Sequence, residues 1–403
     1  MPAVRHRARG RRRPIVVGVV LVALIGLNAP TAAARPMPLG PAQIVTDWPK
    51  YHFDVANTGY NHYETTIGPS NVSTLTLAWH YNAGVVPGTP AVARGSLYVS
   101  TIFKVGKDTT SAMDATTGAL FWKTTRLQYG SPVHGTAYYG GMVYFGTDEG
   151  TLHALDAATG RKVWNAAVGP PSDAEISAGT VYVRDGAWGV RALDARTGTL
   201  LWKSPFLDIG FAAPTVVGGL VYVGSYNGYV YALDATTGSI VWSYATAGFI
   251  EGSSVVVSGG LAYVSSGDMN LYALDATTGA LLWKAPLGPQ EYNQPLTPAL
   301  ANGVVYAEGD GDLQAFDAGT GAPLWSTPLA DGHVGSPVVA NGVVYIPGWY
   351  QGHIYALDAA SGAVIWSYKA GGQVADPVIV NGMLFFGSSD HNLYAFKLPT
   401  ASR

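Results

Sequence analysis

Residues 214–244 read PTVVGGLVYVGSYNGYVYALDATTGSIVWSY. Four short runs rich in Val, Tyr and Ile are separated by Gly218-Gly219, Tyr226-Asn227-Gly228 and the stretch from Asp234 to Gly238. β-branched and aromatic runs between tight Gly/Asn turns predict four antiparallel strands, here named A to D. The unit recurs. Asp-x-x-(Thr/Ser)-Gly-x-x-x-Trp begins at Asp114, Asp156, Asp194, Asp234, Asp275, Asp317 and Asp358, at spacings of 38 to 42 residues. Ala stands two residues before each Asp. A period near 40 without helical periodicity predicts a β-propeller of four-stranded blades.

Eight A-B-C sets can be counted. The last, residues 377–397, ends without a Trp strand, whereas Leu75-Thr76-Leu77-Ala78-Trp79 precedes the first set. The N-terminal strand is therefore expected to supply strand D of the last blade, closing an all-β, eight-bladed ring and hiding its open edge. On this reading eight Trp fasten eight blades. Three are left over: Trp48, Trp188 and Trp349.

The rest of the composition narrows the function. The 403 residues include 51 Gly and no Cys, and 12% are charged. That excludes a long disordered region, a disulfide framework, a thiolate metal site and an acylated-Cys anchor. Residues 1–13 carry six Arg, followed by an apolar run from Pro14 to Leu27 and by Ala32-Ala33-Ala34. This predicts a signal peptide over 1–34, a lead-in segment over 35–74 and the propeller over 75–403. Cleavage removes six of the 23 basic residues and none of the 26 acidic ones, so the net charge moves from −3 to near −9. The expectation is an extracytoplasmic monomer, secreted or periplasmic, with no nucleic-acid partner and no stable membrane anchor after cleavage.

The repeat resembles the tryptophan-docking motif of the PQQ-type propellers, and Trp48 to Tyr60 resembles the segment that precedes such propellers. The resemblance implies either a quinoprotein dehydrogenase, with pyrroloquinoline quinone (PQQ) and Ca²⁺ on the propeller axis, or a non-catalytic relative of the assembly subunit BamB. Many of the dehydrogenases carry adjacent cysteines beside the quinone, and this chain has none.

The D–A and B–C connections vary between repeats, which marks one face for binding. Polar residues at the starts of the A strands make candidate channel-mouth ligands: His134, Asp173, Glu251 and Asp376, with Gln294 and His333 beside them. Glu251 and Asp376 are the candidate metal ligands, since carboxylates suit a hard cation. Turn amides or water could equally satisfy these groups. Trp188 and Trp349, both in B–C connections, are candidate stacking surfaces or loop fillers. Glu308-Gly-Asp310-Gly-Asp312 reads as a turn. No catalytic constellation stands out. The sequence therefore favours a non-catalytic binding or scaffold propeller, meeting a protein or small polar ligand on the variable face. The alternative is a small PQQ- and Ca-dependent dehydrogenase oxidising an alcohol or sugar.

Overall fold

The computed structural model describes residues 47–84, 86–102, 109–124, 132–169, 173–288, 294–309, 311–332 and 334–399. These form eight antiparallel sheets arranged as the blades of a propeller. Blade 4 is representative, with strands Thr215–Val217, Leu220–Gly224, Tyr229–Asp234 and Ile240–Ala245. Blade 8 consists of Val378–Val380, Met383–Gly387 and Asn392–Lys397, and the N-terminal strand Thr76–Asn82 completes it. Among the described residues the one helical turn is a 3₁₀ turn, Val72–Thr74. No helix among them is long and apolar enough to cross a membrane.

The register explains the repeated residues. Tyr222 pairs with Ala232, and Ala232 pairs with Trp242. The small Ala lets Tyr and Trp close to 5.9 Å between ring centroids. Both rings then donate to one carbonyl of the next blade: Trp242 Nε1 and Tyr222 Oη each lie 3.0 Å from Ala276 O. The indole covers Gly279 of that blade's C–D turn. Asp234 Oδ1 holds its own turn by accepting from the Thr236 and Thr237 amides and the Thr237 hydroxyl.

Seven Trp donate Nε1 to a carbonyl of the next blade, from Trp79 on Ala115 to Trp325 on Ala359, and five of them share it with a Tyr hydroxyl. The eighth, Trp366, also packs on its neighbouring blade, but on a different surface. Blade 8 has Phe396-Lys397 where the Asp turn would stand, and Trp366 lies edge-on to Phe396 at 5.5 Å. Trp48, one of the three out-of-phase Trp, is a core residue at 1% exposure, edge-on to Phe53 at 5.1 Å.

The lead-in segment meets the innermost strand of every blade in order. Trp48 exchanges hydrogen bonds with Val92 of blade 1, and Pro49 O accepts from Tyr138 N of blade 2. Lys50 Nζ lies 2.7 Å from Glu175 Oε2 of blade 3. The carbonyls of Val55, Ala56, Thr58 and Gly59 accept from Val216, Val257, Leu300 and Val339 of blades 4 to 7. Asn61 Nδ2 donates to Ile379 O of blade 8. Inner edges that would otherwise expose unpaired amides are thereby satisfied. His52, Phe53 and Asn57 adopt positive φ (54°, 74° and 52°), so the contacts hold a path that side-chain-bearing residues seldom take. This plug segment then meets the A–B turns, Tyr60 at Asn302, Ile67 at Asn341 and Glu64 at Gly382.

Candidate functional site

Above the plug the channel widens into a cup of about 570 Å³. Its walls are the starts of the A strands, where Gly88, Thr89, Gly135, Ala212, Ala213 and Ser336 leave room. The larger lining side chains are Tyr51, Asp173, Phe211, Glu251, Gln294, Leu296, Trp349 and Asp376. Five residues selected from the sequence therefore share one cavity: Asp173, Glu251, Gln294, Trp349 and Asp376. Tyr51 and Phe211 join them without having been foreseen. His134 lies on the strand Pro132–Tyr139, but its side chain, like all of His333, falls outside the described residues.

Tyr51 comes from the plug. Its hydroxyl lies 3.1 Å from both Thr297 Oγ1 and Ser336 Oγ. Burial raises the phenol far above its ordinary range, and the negative charges of Asp376 and Asp173 raise it further. Asp376 is pushed up to about 7, mainly by burial and further by Asp173, while the Ser336 amide pulls the other way. Asp173 Oδ1 accepts from Gly135 N. Two aspartates thus face a shared space, and one is poised to hold or release a proton near neutrality.

Glu251 Oε1 accepts from the Tyr226 hydroxyl at 3.0 Å. Burial, then this carboxylate, pushes the phenol up to about 12. Tyr226 lies edge-on to Trp188 and to Phe211, at 5.6 and 6.0 Å. Between those two rings sits the Arg184 guanidinium, 4.2 Å from one centroid and 4.4 Å from the other. Trp188 does not line the cup. Its turn, held by Asp185 accepting from the Ala187 and Gly189 amides, directs the indole over Arg184.

Glu251 and Asp376, paired as metal ligands on sequence grounds, have different neighbours. Among the described residues no three His, Asp or Glu gather closely enough to hold a metal ion by themselves. At the Glu308–Asp312 stretch, Gly309 N donates to Asp312 O as in a turn, and Asp310 lies outside the described residues.

The chain is similar to the dehydrogenase subunit of a quinone-dependent alcohol dehydrogenase from Gluconacetobacter polyoxogenes. They are 32% identical over 240 residues, which is 50% of this chain and 32% of that protein. The match therefore spans about a third of that relative's length. In fold the chain resembles the quinohemoprotein alcohol dehydrogenase ADHIIG of Pseudomonas putida HK5, with TM-score 0.73, 17% identity, and coverage of 89% of this chain and 81% of that one. It also resembles BamB from Moraxella catarrhalis, with TM-score 0.66, 21% identity, and coverage of 82% and 100%. The pattern of the family described as outer membrane protein assembly factor BamB matches residues 74–189, 187–348 and 309–403. On that match, which takes in all eight blades, the chain belongs to the family of PQQ-type propellers described as outer membrane protein assembly factor BamB.

Proposed function

We propose that this propeller is an extracytoplasmic quinoprotein dehydrogenase that oxidises an alcohol in its channel cup. The observation that carries the reading is the convergence of Asp173, Glu251, Gln294, Trp349 and Asp376 on one axial cavity. The similarity to quinone-dependent alcohol dehydrogenase subunits supports it. The scaffold reading favoured on sequence alone rested on the lack of a catalytic constellation, and it does not account for this cup.

The cup fits the cofactor in three respects. Its volume admits a flat tricyclic quinone. Trp349 offers an aromatic wall. The polar lining is rich in oxygen donors, which suit Ca²⁺. Asp173, Glu251 and Asp376 do not form a cage of their own, so water and the quinone's oxygens would complete the cation's shell. Bound there, the quinone would accept the two electrons and the hydrogen that leave the substrate carbon.

The chain's own contribution is positional and acid–base. Asp376, raised to about 7, takes the proton from the substrate hydroxyl. Tyr51 closes the floor, tied to blades 6 and 7 through Thr297 and Ser336. The test is dye reduction by the full-length protein reconstituted with PQQ and Ca²⁺ and supplied with primary alcohols. Turnover is expected, falling about 10²-fold or more in Asp376→Asn. A protein that binds the quinone yet oxidises no alcohol would refute the reading. Export is tested by N-terminal sequencing of the secreted or periplasmic protein, which is expected to begin near residue 35.

A further inference from the structure

The cup has a one-sided chemistry. Three carboxylates line it, and among the described residues no Lys, Arg or His does. Arg184, 3% exposed, is not among the lining residues and lies over the ring of Phe211, which is. Its guanidinium is 4.4 Å from the centroid of that ring. Trp349 Nε1 and Asp376 Oδ1 lie 3.0 and 3.1 Å from where a side chain on Gly335 would begin, and Pro347 Cγ lies 2.7 Å from it. Indole and carboxylate are therefore immediate neighbours, packed around a glycine whose site has no room for a side chain. Asp173 acts on Asp376 from across the cup, and the Tyr51 ring closes the floor.

We propose that the cup selects a small organic cation, a ligand bearing an ammonium group that sits against Trp349 between Asp376 and Asp173. The carboxylates are too dispersed to cage a bare metal ion, whereas an ammonium group spreads its charge over several ångströms. Aromatic faces attract cations through their quadrupole, and the carboxylates attract the same charge. Loading the cofactor does not reverse this preference. A tricarboxylate quinone with one divalent cation adds net negative charge, and no described lining residue offsets it. The inference deepens the proposed function by naming the ligand class of the same cup. It rests on that reading only for the oxidation of the bound molecule.

The test is calorimetric titration of the full-length protein, without quinone, using choline and its neutral isostere 3,3-dimethylbutan-1-ol. The two share shape and hydroxyl and differ in charge. Choline is expected to bind about tenfold more tightly or better, and Trp349→Leu is expected to shrink that preference several-fold, the carboxylates keeping the remainder. Equal affinities, tighter binding of the neutral alcohol, or no saturable choline binding would overturn the inference. Choline binding without alcohol oxidation in the reconstituted protein would leave the inference standing and remove the dehydrogenase. Oxidation of both alcohols with equal affinities would do the reverse.

Discussion

Two constraints act together on the glycine of each C–D turn. Gly198 has φ +72°, and a Cβ there would meet the Trp164 indole at 2.6 Å. Gly219, in an A–B turn, has φ +81° with nothing within 4 Å. Gly219→Ala is therefore expected to cost only the backbone penalty, about 1 kcal/mol, and Gly198→Ala about 2 kcal/mol or more. Chemical denaturation of the two variants measures the difference, which belongs to the docked indole. Asp376 gives a second prediction. Its folded pKa is raised, so between about pH 4 and about pH 7 the native state holds a proton that the unfolded chain has lost. Its contribution to stability therefore falls as pH rises through that window. Asp376→Asn is expected to flatten the decline, and an unchanged slope would count against the proton-holding carboxylate.

Among the elements, the plug carries the most consequence, because it satisfies the inner strands and delivers Tyr51 to the cup. Asn57 is its pivot. The side chain is fully buried, accepts from Lys50 Nζ and donates to Pro214 O and Thr215 Oγ1. Asn57→Ala is expected to cost about 2–3 kcal/mol by removing three buried hydrogen bonds at once. In the same variant the amides of Val216, Val257, Leu300 and Val339 should exchange with solvent faster, while strand-B amides stay protected. Uniform acceleration would mean that the plug is not a separate element. The plug also marks where sequence reading stopped. Strands, turns and the N-terminal closing strand follow from local periodicity, and the polar A-strand starts stood out against small residues in the other repeats. Tyr51 had no such signal. Its partners, Thr297 and Ser336, lie 246 and 285 residues away, and no repeat phase links them. Trp188 was legible only in part for a related reason: its place in a B–C turn was readable, but the stacking of Arg184 on it and the positive φ of 61° were not.

For the whole molecule, ring closure differs at the blade 7–8 joint, where Trp366 meets Phe396 instead of an Asp turn. Closure there depends on Thr76–Asn82 pairing with Asn392–Lys397, and Trp79 ties that same strand to blade 1. Trp79→Ala is expected to cost about 3–5 kcal/mol and to broaden the thermal transition, since it frees the strand that joins the two ends of the ring. A scanning calorimetry trace as sharp as the wild type would contradict that role. The closed ring, stoppered at one end, leaves the acidic, aromatic cup as the open part of the axis. The most direct test of that account is titration of the purified protein with PQQ, with and without Ca²⁺, read by the quinone's absorbance. Saturable binding that requires the cation and weakens in Asp376→Asn is the predicted result. The absence of saturable binding at micromolar quinone in the presence of Ca²⁺ would contradict it.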